Sequence, residues 1–337
     1  MYSTIKIKGK GTSRLIKSRV IQSPLAGVTD KIFRKFVRRW APNSLLFTEM
    51  INATSLKLGY GVEKINQIGL EEGPVGIQLF DNRPFSIAEA AIESEASGAF
   101  IIDINMGCPV KKIAKKGGGS ALLKDPKLAI ELVKKISNSV KIPVSVKTRI
   151  GWSSKNENIK EFLLRLQDAG ANMFTIHGRT REQGFSGKAD WNIIRQLKEE
   201  LEIPVIANGD INNAKDAIKC LEETKADGIM IGRGVLGSPW IIGEIDSAIK
   251  GKTTFKKPTI EDKLKLIIEH LDELINSKGE HGLLVARKHI AWTCKDFKGA
   301  NNLRGTLVRA KTPEEVKEII FNAISYYKNE NQSFNAN

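Results

Sequence analysis

VIANGDINNAKDAIKCLEETKADGIMIGRG, residues 205–234, sets two short apolar runs around one amphipathic stretch. The runs at 205–208 and 228–232 are rich in Val, Ile and Met, with the length of a strand buried on both faces. Residues 214–222 between them read as a helix. Strand, helix and strand at this spacing form a βαβ unit, whose two strands are parallel. Each run ends in residues a core strand does not need: Asn208-Gly209-Asp210 after the first, Gly232-Arg233-Gly234 after the second.

Toward the N-terminus the same pattern repeats. Further strand-like runs lie at residues 20–23, 45–49, 75–79, 100–105, 144–147 and 173–177. Helical stretches lie at 84–97, 126–138, 158–169 and 191–200, with Pro84 and Pro126 suited to a first helical turn and Asp125 placed to cap one. Eight βα units over roughly 230 residues match a (β/α)8 TIM barrel, fold class α/β. A doubly wound open sheet, the rival, usually has fewer strands and needs a switch point. GRGVLG at 232–237 fits a dinucleotide-binding expression, but no further strand follows to complete its βαβ unit, so that reading fails.

Outside the repeats, Ile5, Ile7, Leu15 and Ile16 read as a short hairpin leading into the first core strand. At 250–258 (KGKTTFKKP) the composition turns basic and polar, as a linker does, and the strand signal stops. Residues 260–277 carry Leu264, Ile267, Ile268, Leu271, Leu274 and Ile275 at helical spacing. A second helix is expected over 282–298, and Thr312-Pro313-Glu314-Glu315 is a helix start; the tail after Tyr327 is expected to fray. The expected plan is a barrel over residues 1–250 and a small C-terminal helical domain over 259–330.

The 337 residues suffice for a large core without disulfides. Cys108, Cys220 and Cys294 are far apart and form no CxxC pair, so neither a disulfide scaffold nor a metal site is expected. No apolar run approaches the roughly 18 residues of a membrane helix, and no secretory h-region opens the chain. A reducing cytoplasm, no membrane and no obligate protein partner are the expectation. Lys plus Arg is 53 against Asp plus Glu 38, a net charge of +15, which favours an anionic partner, nucleic acid first.

In such a barrel chemistry sits where strands end and βα loops begin. Those ends hold Pro24-Leu25-Ala26, Gln78, Cys108, Lys147-Thr148-Arg149, His177-Gly178-Arg179, Asn208-Gly209-Asp210 and Gly232-Arg233. The glycines of the last two ends suit a phosphate, with Arg233 adding charge, or else are tight turns. Lys147 on a buried strand is either functional or paired at the rim. Gln78 is a ring contact or a satisfied interior amide, and a lone His177 reads more readily as a core histidine than as a ligand. Cys108 precedes Lys111, Lys112, Lys115 and Lys116, which would lower a thiol pKa, and the glycines 117–119, which suit a closing loop; it is a reactive thiol or a small buried hydrophobe.

SPLAGVTD (23–30), QLF (78–80), DINMGCPV (103–110), GGGSALL (117–123), KTRIGW (147–152), HGRTREQGFSGKADW (177–191), ANGDI (207–211) and GRGVLGSPW (232–240) resemble, in order and spacing, the motifs of the tRNA-dihydrouridine synthases, most closely the bacterial B-type subfamily. ARKHIAW (286–292) extends the likeness into the helical tail. The resemblance implies an FMN-containing barrel, NADPH as reductant, and a helical domain that grips tRNA. It implies reduction of uridine to 5,6-dihydrouridine in tRNA, with the D-loop as the target region. It implies that Pro24, Leu25 and Ala26 line the isoalloxazine, that Gln78 and Lys147 meet its polar edge, and that His177 lies against it. Asn208, Gly209, Asp210, Gly232 and Arg233 would hold the phosphate end, and Cys108 would be the proton donor. Basic residues at 31–39, 111–116 and 287–309 would track the tRNA backbone, with Arg149, Arg179 and Arg181 at the mouth. The run KKGGGSALL departs from the family's alternating glycine and alanine, which implies a more mobile loop. An FMN-dependent barrel reductase of a small molecule, of dihydroorotate dehydrogenase or ene-reductase type, shares the barrel and phosphate site; the charge and the helical appendage favour RNA.

Overall fold

The protein, seen in a computed structural model, is described over residues 4–66, 68–153 and 158–335, with side chains to residue 329. A hairpin opens the chain: β1 (Ile5–Lys8) pairs antiparallel with β2 (Ser13–Ile16). Then follow β3 (Val20–Gln22), β4 (Leu46–Phe47), β5 (Ile51–Asn52), β6 (Val75–Phe80), β7 (Ile101–Met106), β8 (Val144–Arg149), β9 (Met173–His177), β10 (Val205–Asn208) and β11 (Gly228–Ile231). β3, β4 and β6 to β11 pair parallel in that order, and β11 returns to β3. The result is a closed eight-stranded barrel with helices around it; β5 is an extra short strand on the end of β6.

The eight runs read from the sequence are the eight barrel strands. One end of the interior is apolar: Ile21, Leu45, Phe47, Ile101, Met173, Ile206 and Met230 cluster with Ile5, Ile7 and Ile16 of the hairpin. The hairpin alternates buried and exposed residues, so its apolar face plugs the barrel floor. Burying each such side chain contributes roughly 1.5–3 kcal/mol. Higher in the barrel the inward residues turn polar, with Gln78, Asp103, Asn105, Ser145 and Lys147 linked or adjacent.

Helix starts follow local chemistry. Asp125 accepts from the Leu128 amide at 3.1 Å ahead of Pro126, and Thr312 accepts from the Glu315 amide at 3.1 Å ahead of Pro313. The helix Lys31–Trp40, capped by Asp30, carries basic residues expected on RNA. Two of them are buried instead. Arg34 pairs with Glu71, and Arg38 donates to the carbonyls of Ala41, Pro42, Ser44 and Pro74. Only Lys31, Lys35 and Arg39 of that run are exposed, because the helix turns one face to the barrel.

The chain divides into two compact units, one of residues 1–233 and 242–253, the other of 234–241 and 254–337. The second unit is helical: Ile260–Lys278, His281–Thr293, Ala300–Leu307 and Pro313–Asn335. Thr259 and Asp262 form a capping box at its first long helix. The helix Ala300–Leu307 is an addition to the expected plan, since NNLRGTL has few apolar residues and a central glycine. The second helix ends at Thr293, short of the expected residue 298, and the last continues to Asn335 past the expected fraying point.

Candidate active site

A cleft of about 280 Å³ opens at the C-terminal ends of the strands. Pro24, Leu25, Ala26, Gln78, Cys108, Lys147, His177, Asn208, Gly209, Asp210, Gly232 and Arg233 all line it, as do Met50, Asn105, Arg149 and Phe185. A larger groove of about 590 Å³, lined by Gly9, Lys134, Ser137 and Arg165, lies away from these strand ends.

Cys108 sits in the loop after β7, half-buried. Asn105 shapes that loop: its Oδ1 accepts from the amides of Gly107 at 3.2 Å and Cys108 at 2.9 Å. Burial pushes the thiol pKa up, against the Val110 amide and the charges of Arg149 and Lys147, which pull it down. The net upward direction reverses the sequence expectation. Lys111, Lys112, Lys115 and Lys116 are exposed to solvent, where water screens them, while desolvation acts on the sulfur directly. The thiol therefore stays protonated at neutral pH.

The glycine run packs against this loop. Gly119 has φ +59°, and a Cβ there would stand 3.1 Å from the Cys108 carbonyl oxygen and 3.2 Å from its Cβ. Gly118, with φ −100°, is in ordinary extended backbone, and a Cβ would make only normal contacts with Ile113 and Phe80. The middle glycine is thus the one that an alanine can replace.

Lys147 donates to Asn208 Oδ1 at 3.1 Å, and Asn208 Nδ2 donates to the Met230 carbonyl at 2.8 Å. Burial first, then Arg149, brings the Lys147 pKa down to about 8; Asp103 and Cys108 act the other way. His177 accepts from the Arg179 amide at Nδ1, 3.2 Å, and burial with four nearby cations brings its pKa down to about 2. It is a neutral imidazole carrying its proton on Nε2. Gln78 spans Asp103 and Asn105: Nε2 donates to Asp103 at 2.7 Å and Oε1 accepts from Asn105 at 2.8 Å.

At the β10 and β11 ends, a Cβ on Gly232 would find only Asn208 Nδ2, at 4.0 Å, in otherwise open space. Gly209, at φ +121°, passes so close to Ala189 that a Cβ would stand 2.7 Å from it. The Asp210 carboxylate is held by the protein's own donors. It takes Arg179 Nη2 on both oxygens, at 2.7 and 2.8 Å, and the Ala189 amide at 2.7 Å. Arg233 lies 4.6 Å from the Phe185 ring centroid.

Two residues, Asp103 and Phe185, escape the sequence reading, and a third, Asn105, is marked there only as part of a strand end, with no role. Asp103 is fully buried beneath Gln78, and its carboxyl is raised to about 6 by burial, against hydrogen bonds from Gln78 and Ser145. Asn105 stands inside the quoted DINMGCPV motif, with only its place two residues before Gly107 to mark it. Phe185 is visible in the sequence only as an aromatic in a glycine-flanked loop. Arg149 and Arg179, expected at the mouth on RNA, are 3% and 2% exposed. Arg149 donates to the carbonyls of Gly107, Thr180 and Gly184, and Arg179 to those of Ser186 and Gly187. They fasten loops.

Comparison with known proteins gives the same picture. The family model for dihydrouridine synthase (Dus) matches residues 21–329. The chain is 51% identical over 316 residues to a probable tRNA-dihydrouridine synthase 1 of Synechocystis, covering 94% of this chain and 89% of that one. It is 39% identical over 279 residues to tRNA-dihydrouridine synthase B of Pasteurella multocida, covering 82% and 84%. Among solved structures, an old yellow enzyme homologue from Zymomonas mobilis overlays with a TM-score of 0.54 at 14% identity, covering 77% of this chain and 95% of that one, a likeness of fold. A barrel whose strand ends carry these motifs in family order, matched along nearly its whole length, belongs to the dihydrouridine synthase family.

Proposed function

We propose that the chain works with FMN as its flavin, NADPH as its electron source and Cys108 as its proton donor. The reaction itself, flavin-dependent reduction of uridine to 5,6-dihydrouridine in tRNA, comes with the family. The family also decides against the small-molecule alternative.

The cleft suits a flavin mononucleotide. Gly232 leaves room that a Cβ would fill, Arg233 supplies positive charge, and the carboxylate of Asp210 is neutralised by Arg179, so the backbone there offers an anion no repulsion. Asn208, Gly209 and the Nε2–H of His177 complete the polar end; Pro24, Leu25 and Ala26 give the ring an apolar wall; Gln78 and Lys147 face its polar edge. When bound, the reduced flavin supplies hydride to uracil C6.

The protein makes the other bond. Cys108 gives its proton to C5: the S–H bond breaks as C5–H forms, and Lys147 and Arg149 stabilise the thiolate left behind. Burial keeps the sulfur protonated beforehand. The target base leaves its stack to reach the cleft. The observation that carries this reading is a half-buried thiol facing the same cleft as Lys147 and His177, in a setting whose burial pushes its pKa up.

The helical domain, residues 259–330, grips the tRNA, and the barrel, residues 1–250, does the chemistry. The D-loop is the proposed target region, and the cytoplasm, where tRNA resides, the proposed location. The test is to reduce the protein with NADPH without oxygen and follow flavin reoxidation on adding unmodified tRNA. Cys108→Ala is expected to slow that step by about 10²-fold or more with FMN retained. An unchanged rate overturns the proton-donor assignment; a protein that takes up no FMN overturns the cofactor.

A further inference from the structure

Asp103 is a carboxylate sealed inside the barrel, 1% exposed, with no cation in hydrogen-bonding contact among the described residues. Its two oxygens accept from Ser145 Oγ at 2.6 Å and from Gln78 Nε2 at 2.7 Å. Keeping a carboxylate there costs desolvation, which a neutral asparagine of the same shape avoids. What asparagine lacks is the carboxylate's negative charge, which acts on Lys147, and its one-sidedness: an ionised carboxylate only accepts.

That one-sidedness propagates. Facing Asp103, the Gln78 amide must present Nε2, so its Oε1 points to the next residue. Oε1 accepts from Asn105 Nδ2 at 2.8 Å, which turns Asn105 Oδ1 the other way. Oδ1 then receives the amides of Gly107 and Cys108, at 3.2 and 2.9 Å. Every hydrogen bond from the Cys108 backbone to Asp103 thus runs in one sense, and each polarises the next. Reversing the Asn105 amide would set its NH2 against two backbone N–H groups.

We propose that Asp103 is a positioning residue for Cys108: by fixing the sense of the Gln78 and Asn105 amides, it holds the loop that carries the thiol. The functional consequence rests on the reading of Cys108 as the acid; the structural claim does not.

The experiment compares holoenzymes of wild type, Asp103→Asn and Asp103→Asn/Gln78→Glu. In the single variant the new amide can present either its NH2 or its oxygen to Gln78, so the sense of the chain is enforced from the Gly107 and Cys108 amides alone and no longer from both ends. In the double variant the carboxylate moves one place along, from position 103 to position 78. The amide at 103 then donates to the carboxylate at 78, that carboxylate accepts from Asn105, and Asn105 is oriented as before. The readouts are hydrogen exchange of the peptide spanning Gly107 and Cys108, and the rate of Cys108 alkylation by iodoacetamide, mapped by mass spectrometry apart from buried Cys220 and Cys294. Asp103→Asn is expected to speed exchange at Gly107 and Cys108 by about tenfold, the loss of roughly one hydrogen bond. It is also expected to change the alkylation rate, and the double variant to return both toward wild type. Wild-type exchange and alkylation in Asp103→Asn overturn the proposal, as does a double variant no better protected than the single one. If Asp103→Asn does not fold, the double variant, which keeps the carboxylate and net charge, decides alone by its protection at Gly107 and Cys108. If exchange and alkylation respond while tRNA-driven flavin reoxidation does not, the positioning role stands and the role of Cys108 as acid falls.

Discussion

Replacing Arg149 by lysine keeps the charge and removes the fork. Arg149 donates from Nε to the Gly107 carbonyl at 2.8 Å and from Nη1 to those of Thr180 and Gly184, both at 2.9 Å. It therefore ties the Cys108 loop to the loop after β9. A lysine ammonium is a point donor that cannot reach both loops in that geometry. A hydrogen bond from a charged group contributes about 1.5–3 kcal/mol. The two bonds at Nη1 share one nitrogen and together contribute less than two separate ones. Arg149→Lys is therefore expected to cost about 2–3 kcal/mol, seen as a fall in Tm of roughly 2–4 °C per kcal/mol. The tRNA-dependent step should slow along with it. The Cys108 thiol should titrate nearly as before in Arg149→Lys, because the positive charge remains. Arg149→Met removes that charge, and since Arg149 opposes the upward push of burial, the pH at which Cys108 alkylates should rise further. Thermal unfolding of the holoenzyme and the pH profile of iodoacetamide labelling measure the two effects. A change within about 0.5 kcal/mol for Arg149→Lys, the range of an ordinary surface substitution, would refute the clasp, and an unmoved labelling profile in Arg149→Met would refute the charge effect on Cys108.

Gly118→Ala should stabilise the protein by about 0.4–1 kcal/mol, whereas Gly119→Ala should destabilise it by about 1–2 kcal/mol and slow tRNA reduction; urea unfolding of both separates them. Lys147 has a folded pKa of about 8 against 10.5 unfolded, so its lowered pKa contributes stability above 10.5 that is lost as pH falls through about 8. Lys147→Met should accordingly raise stability at pH 7 while impairing tRNA reduction, and the wild-type rate of that step should fall as pH rises through about 8, which stopped-flow reoxidation would show. Alanine at Lys111, Lys112, Lys115 and Lys116 should weaken tRNA binding and flatten its log–log salt dependence by up to about 0.9 for each phosphate no longer neutralised; a titration across salt concentrations checks it.

Much of the site was legible because a parallel barrel converts a one-dimensional rule into a three-dimensional one. All strands run the same way, so the residue after each apolar run arrives at the same rim. Gln78, Lys147, His177, Asn208 and Gly232 could be placed on one cleft from their positions at strand ends. The rule says which rim a residue reaches, and nothing about how much water it keeps there. Arg149 and Arg179 looked like RNA contacts for that reason, yet loops folding over them turned both into buried clasps. Arg34 and Arg38 misled in the same way, on a helix whose basic residues occupy both faces.

The sequence by itself determined the eight strands, the helical tail and the motif order, because periodicity, caps and chain length are local properties. Only the tertiary structure decided the state of the groups between them. Cys108 is held as a thiol by desolvation, against a sequence neighbourhood of lysines that water screens. Asp103, an unremarked acid within a strand, becomes the buried end of a hydrogen-bond chain from β6 and β7 to the Cys108 loop. Of three consecutive glycines, the fold requires Gly117 and Gly119 at positive φ and leaves Gly118 free. Burial and hydrogen-bond direction depend on partners far apart in the chain, and those distances exist only once the barrel has closed.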